Sequence, residues 1–103
     1  MAFTKNYLYD PEDQQASQFA KALSHAARIS ILRTLHQFGT CSVETLSSTQ
    51  PLSQPSISQH LRILRNAQLV ICKEKTPHTY YSLDGKNFKI MKRKLKLFLD
   101  SFD

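Results

Sequence analysis

The stretch Leu52-Ser53-Gln54-Pro55-Ser56-Ile57-Ser58-Gln59-His60-Leu61-Arg62-Ile63-Leu64-Arg65-Asn66 carries two chemistries on one helical repeat. At about 100° per residue, Ile57, Leu61 and Leu64 fall within about 60° of one another and form an apolar face. Ser53 is placed to cap the helix, and Pro55 suits its first turn. Ser56, Gln59 and Arg62 point away from the apolar face, with Ser58 and His60 on its flanks. Ordinary solvent-facing helices are filled with Glu and Lys, and neither occurs between Ser53 and Asn66. Hydroxyls, an amide and a guanidinium are the groups that bond base edges: Gln pairs with adenine, Arg with guanine or phosphate, and Ser with several bases.

Working outward from this helix gives the rest of the architecture. Upstream, Ser42 can cap a short helix that turns Val43 and Leu46 inward, and Pro51 closes that stretch by disfavouring helical dihedrals at Gln50. Two helices joined by a turn of about three residues have helix-turn-helix spacing. Before them, Ile31, Leu32, Leu35 and Phe38 predict a helix from about Ala26 to Phe38, with Gly39 as its left-handed cap. Pro11 with Glu12 and Asp13 opens the first helix, whose apolar stripe reads Ala16, Phe19, Ala20 and Leu23. Residues 1–10, with Phe3, Tyr7 and Tyr9, read as an arm, and residues 11–103 as a single domain.

Downstream, Leu69–Cys72 and Thr79–Leu83 are β-prone runs separated by the polar segment Lys73–His78, a two-stranded hairpin or wing. Phe88, Met91, Leu95, Phe98 and Phe102 then recur at alternating spacings of three and four, a heptad-like seam on a closing helix. The fold class is mostly α, a winged helix-turn-helix of about five helices with a small β-hairpin. The closing seam, with Phe19 of the first helix, is expected to pack partly within the protomer and partly on a second copy.

Composition narrows the partner. The chain has 103 residues, 41% hydrophobic and 21% charged, with a formal net charge of +6. Ten Lys/Arg and two Asp/Glu lie between Arg62 and Lys96, so that third carries +8 and the remainder −2. Such polarity favours a polyanion. Arg62 and Arg65 at the end of the helix, and Lys73, Lys75 and His78 in the wing, suit phosphate or minor-groove contact. Lys86, Lys89, Lys92, Arg93, Lys94 and Lys96 are expected to add field and solubility more than direct contacts.

Other function classes find no support. No His–carboxylate pair accompanies the hydroxyls, no Gly-rich phosphate loop occurs, and the four histidines show no i, i+4 pairing, so no catalytic or metal set is read. No apolar run reaches a membrane-spanning length of roughly 18–20 residues. An acidic N-terminal region without a basic and apolar leader gives a cytoplasmic expectation, in which Cys41 and Cys72 are free thiols.

From about Gln18 to Leu83 the chain resembles the ArsR/SmtB-type winged-helix repressors. The Leu52–Arg65 stretch looks like that family's recognition helix. Phe19-Ala20-Lys21-Ala22-Leu23, Arg28-Ile29-Ser30-Ile31-Leu32 and Tyr80-Tyr81-Ser82-Leu83 support it. The resemblance implies a homodimer that represses transcription from an inverted-repeat operator in double-stranded DNA. The DNA contacts then fall to Ser42, Ser53, Gln54, Ser56, Ser58, Gln59, His60, Arg62, Arg65, Lys73, Lys75 and His78. Many members bind metal through Cys-x-Cys at the start of the third helix, where this chain has Ser42 and Glu44, with Cys41 one residue early. Others use Asp and His on the closing helix, which has no His here. No metal or cofactor is therefore expected, and the inducer is unassigned. Some relatives sense oxidants through two thiols, and Cys41 with Cys72 could form such a pair. Two alternatives stay open: a winged-helix module for protein or RNA, and an architectural DNA binder of low specificity.

Overall fold

The computed structural model describes residues 8–103, so the arm read over residues 1–10 lies mostly outside the described residues. Helix α1 (Pro11–Ala22) starts where proline and acids predict, with the Asp10 carboxylate accepting from the Glu12 amide at 2.9 Å. Its buried residues are Phe19 and Ala22, whereas Ala20, expected in the stripe, faces solvent. Helix α2 (Ala26–Phe38) buries Ile31, Leu32 and Leu35. Phe38, expected to extend that stripe, is 63% exposed at the last residue of the helix. Gly39 ends α2 at φ +84°, a conformation other residues rarely adopt, and its amide bonds the Leu35 carbonyl at 2.8 Å.

Helix α3 (Val43–Ser48) is capped by Ser42, whose Oγ accepts from the Thr45 amide at 3.1 Å, and it buries Val43 and Leu46. Helix α4 (Gln54–Asn66) is capped by Ser53 and buries Ile57, Leu61 and Leu64 completely. Its far end is a Schellman turn: Leu69 N–H bonds Leu64 O at 3.0 Å and Gln68 N–H bonds Arg65 O at 2.9 Å. Gln68 takes the positive φ of 61° that glycine usually supplies there. The Asn87 side-chain amide bonds its carbonyl at 2.8 Å and helps hold that turn.

The wing is longer and its loop shorter than the sequence suggests. Strands β2 (Val70–Lys75) and β3 (His78–Leu83) pair antiparallel from Val70↔Leu83 to Lys75↔His78, so Lys73–Lys75 belong to a strand. An exposed ribbon needs no alternation of apolar residues, which is why the charged half of β2 resembled a loop. A two-residue strand β1 (Cys41–Ser42), invisible to any periodicity, pairs with β3 to give the order β1-β3-β2.

Helix α5 (Gly85–Asp100) is capped by Asp84, whose carboxylate accepts from the Asn87 amide at 3.0 Å. The helix ends before Phe102, so the expected seam is not continuous. Met91 and Phe19 are each 3% exposed, and both belong to the protomer's own core, which leaves neither as a surface contact. Phe88 and Leu95 pack against the same core. The apolar groups left outside are Leu97, Phe98, Leu99 and Phe102. An ion pair of Lys94 with Glu12 at 3.2 Å ties α5 to α1. Among the described residues no helix is long and apolar enough to cross a membrane.

Candidate nucleic-acid interface

Burial of Ile57, Leu61 and Leu64 fixes the rotation of α4, and with it which side chains face outward. Gln54, Ser58, Gln59, Arg62 and Arg65 are exposed. Ser56 is half-buried: its amide points at Ser53 Oγ, and the two hydroxyls lie 3.2 Å apart. It therefore belongs to the cap, beside Ser53, more than to the outer face. None of the exposed side chains on α4 is acidic, so the helix offers donors and acceptors without repelling phosphate.

His60 lies on the inner flank of α4, against α2. Arg28 Nη1 stands 2.9 Å from His60 Nδ1, and the His25 and His60 ring centroids are 4.4 Å apart. A guanidinium can only donate, so Nδ1 is the acceptor and the neutral ring carries its proton on Nε2. Burial, then the His25 and Arg28 charges, hold the His60 pKa below its ordinary value. The residue expected at the DNA thus also joins α4 to the helix behind it.

Arg28 is the organising group at this junction and is 6% exposed. Its Nε donates to Ala22 O at 3.0 Å, and Nη2 donates to Lys21 O at 3.1 Å and Ser24 Oγ at 3.0 Å. The cation sits on the carbonyls at the end of α1, where the helix dipole is negative, and reaches α4 through His60. One side chain ties three helices. The sequence carried a signal for it: Arg28 precedes Ile31, Leu32 and Leu35 at spacings of three, four and seven, so it occupies a core position of α2.

On the other flank, the wing and α3 meet through Glu44, whose carboxylate accepts from His78 Nδ1 at 2.7 Å. That bond leaves Nε2 able to donate to a phosphate only if the ring is protonated. Lys73 and Lys75 are exposed on the wing. In register, both share a sheet face with Tyr80 and His78. Ser42 is committed locally, to the Thr45 amide and hydroxyl.

The two cysteines do not meet. Cys41 and Cys72 both pair with Tyr81, from opposite sides of β3. Two strand spacings of about 4.8 Å separate them, beyond the roughly 7 Å limit between Cα atoms for a disulfide. Burial raises the Cys41 pKa, which disfavours its thiolate. Tyr81 between them is also raised, by burial first and then by its hydrogen bond with Cys72. Among the described residues no three His, Cys, Asp or Glu side chains are grouped to hold a metal ion.

The arrangement has known counterparts. Residues 25–71, from the start of α2 into β2, match the model of the bacterial regulatory proteins of the arsR family. An uncharacterised HTH-type transcriptional regulator of Methanocaldococcus jannaschii is 34% identical over 80 residues, which span 77% of this chain and 90% of the relative. HlyU from Vibrio cholerae superposes with a TM-score of 0.70 at 28% identity, covering 88% of this chain and 99% of that one. An ArsR-like transcriptional regulator from Rhodococcus sp. shares the fold with a TM-score of 0.74 at 24% identity, over 88% of this chain and 85% of that one. With a helix-turn-helix whose α4 presents an acid-free outer face, a β wing beside it and these relatives, the chain belongs to the arsR family of DNA-binding transcriptional regulators and is not an enzyme.

Proposed function

We propose that the protein is a homodimeric repressor whose two α4 helices read the half-sites of an inverted-repeat operator. The observation that carries this reading is the outer face of α4: Gln54, Ser58, Gln59, Arg62 and Arg65 are exposed without an acid among them, while the inner face is fully buried. Gln59 and Ser58 are the base-reading groups, with Gln54 at the helix start. Arg62 and Arg65, with Lys73, Lys75 and His78 of the wing, hold phosphates. Ser42, Ser53 and Ser56 act at helix starts, where backbone amides also face the DNA. His60 sets the pose of α4 and offers Nε2 at its edge.

Two copies are required because one helix reads too few base pairs to single out a site, and paired half-sites multiply the discrimination. The surface that supports pairing is the apolar end of α5, where Leu97 is 65% and Phe98 48% exposed, with Leu99 and Phe102 alongside. Phe88 and Leu95 extend that surface only from below, through the core they share with Met91 and Phe19. A dimer seated across a promoter excludes polymerase, which makes repression the outcome.

The test is selection of bound fragments from a random duplex pool, followed by mass measurement of the complex. The expected result is an inverted repeat with half-site centres about 10–10.5 base pairs apart, or a multiple, and two chains per duplex. Enrichment without a shared sequence would indicate an architectural binder. Preference for structured RNA over duplex would overturn the reading altogether.

A further inference from the structure

An open groove of about 570 Å³ runs between α2, the end of β3 and the first turns of α5. Its floor is apolar: Leu23, Ile29, Leu32, Leu83 and Phe88. Its rim is cationic, with Arg33 from α2 and Lys89 and Lys92 from α5, and His36 beside them. No carboxylate lines it. Asp84, the adjoining acid in the chain, is turned onto the Asn87 amide as the cap of α5. Arg33, Lys89 and Lys92 form no ion pair with any described acid, the pairs among described residues being His78–Glu44, Lys94–Glu12 and Lys96–Asp100.

Ile29, 41% exposed, adds to the apolar surface that this floor leaves in solvent. Three occupants have to be weighed by chemistry. A second copy of a +6 chain would press like charges together at the rim. The exposed apolar end of α5 also lies elsewhere: Phe98 is ten residues beyond Phe88, about 15 Å along the helix. A nucleic-acid backbone satisfies the rim but cannot use an apolar floor. An amphipathic anion satisfies both, because its chain covers the floor while its head group meets the cations. The volume also falls within the roughly 300–1,000 Å³ of small-molecule sites.

We propose that this groove is a binding site for an amphipathic carboxylate of the medium-chain fatty-acid class. The alkyl chain lies along Leu23, Ile29, Leu32 and Phe88, and the carboxylate is held by Arg33 and Lys89, with Lys92 at the outer edge. No α4 residue lines the site, so it does not depend on the reading of the operator, and Phe88 is the one lining residue it shares with the proposed pairing surface. Ile29 and Leu32 share α2 with Arg28, so an occupant touches the helix that anchors α4.

The experiment is a titration of the isotopically labelled full chain, followed by amide resonances, with decanoate below its micelle concentration. Decanol and decylammonium serve as head-group comparisons. The expected result is saturable shifts at Leu23, Ile29, Leu83 and Phe88, with decanoate binding at least about tenfold tighter than decanol and decylammonium weaker than both. Arg33→Glu and Lys89→Glu, both at exposed positions, should each lower decanoate affinity about tenfold while leaving the spectrum of the folded chain in place. Absence of saturable shifts would overturn the proposal, as would equal binding of the three head groups. Shifts at the same amides that follow protein concentration, with no added ligand, would assign the groove to a second copy instead.

Discussion

Helices α4 and α5 are both amphipathic, yet they use their apolar sides differently. In α4 the protomer's core takes the whole apolar side, with Ile57, Leu61 and Leu64 fully buried. What remains for a partner is polar and free of acids. In α5 the core takes Met91 and part of Phe88 and Leu95, and the last turns leave Leu97, Phe98 and Leu99 in solvent. A helix whose apolar face is consumed at home can offer only hydrogen bonds and charge. One whose apolar face outlasts its own core offers burial. The first suits DNA and the second suits another copy.

Salt gives the largest expected separation between the two. Phosphate contacts release condensed counterions, so a dimer making roughly 6–10 of them should lose about 10³–10⁵ in duplex affinity between roughly 50 and 200 mM salt. Apolar pairing through α5 should hardly change over that range. Sedimentation and DNA titration across the same salt series check both, and parallel losses would erase the distinction.

The next effect is on folding. Leu61→Ala empties a site with 0% exposure under α4 and should cost about 2–5 kcal/mol in thermal or denaturant unfolding. Phe98→Asp, at a half-exposed position, should leave unfolding nearly unchanged, within about 0.5 kcal/mol. Its effect belongs to assembly, where the burial lost is worth about 1.5–3 kcal/mol, roughly a tenfold to hundredfold weaker dimer by sedimentation. If Phe98→Asp unfolds the chain as Leu61→Ala does, the end of α5 is core after all.

A smaller effect depends on pH. His60 has a folded-state pKa below that of the unfolded chain, through burial and the nearby His25 and Arg28 charges. The unfolded state then binds the proton more readily, so this contribution is complete above the ordinary histidine value of about 6.5 and declines as pH falls from there. His60→Asn, which keeps an acceptor toward Arg28, should flatten stability against pH below about 6.5. An unchanged slope would show that the ring takes up its proton without cost.

Much of this was legible in the residues. The caps at Ser42 and Ser53, the inward set of α4, the positive φ at Gly39 and the order of helices and wing all follow from local rules. What escaped was set by tertiary context. Strand β1 exists because β3 lies alongside, and the charged half of β2 is a strand because its partner bonds it. Met91 fits a seam by spacing and Phe19 was expected beside it, but one protomer's core already holds both. His60 read as a flank residue among the DNA contacts, and only Arg28, thirty-two positions away, shows its second role by giving it a partner at 2.9 Å. Spacing along one helix cannot reveal what another helix places beside it.

The most direct test of the central claim, that the outer face of α4 reads bases, is a pair of titrations of Gln59→Ala on the selected operator and on a scrambled duplex. The expected loss is about 1–3 kcal/mol on the operator, with relaxed preference at one base pair per half-site and little change on the scrambled DNA. Equal losses on both duplexes would contradict the claim and would reduce Gln59 to a residue that holds DNA without reading it.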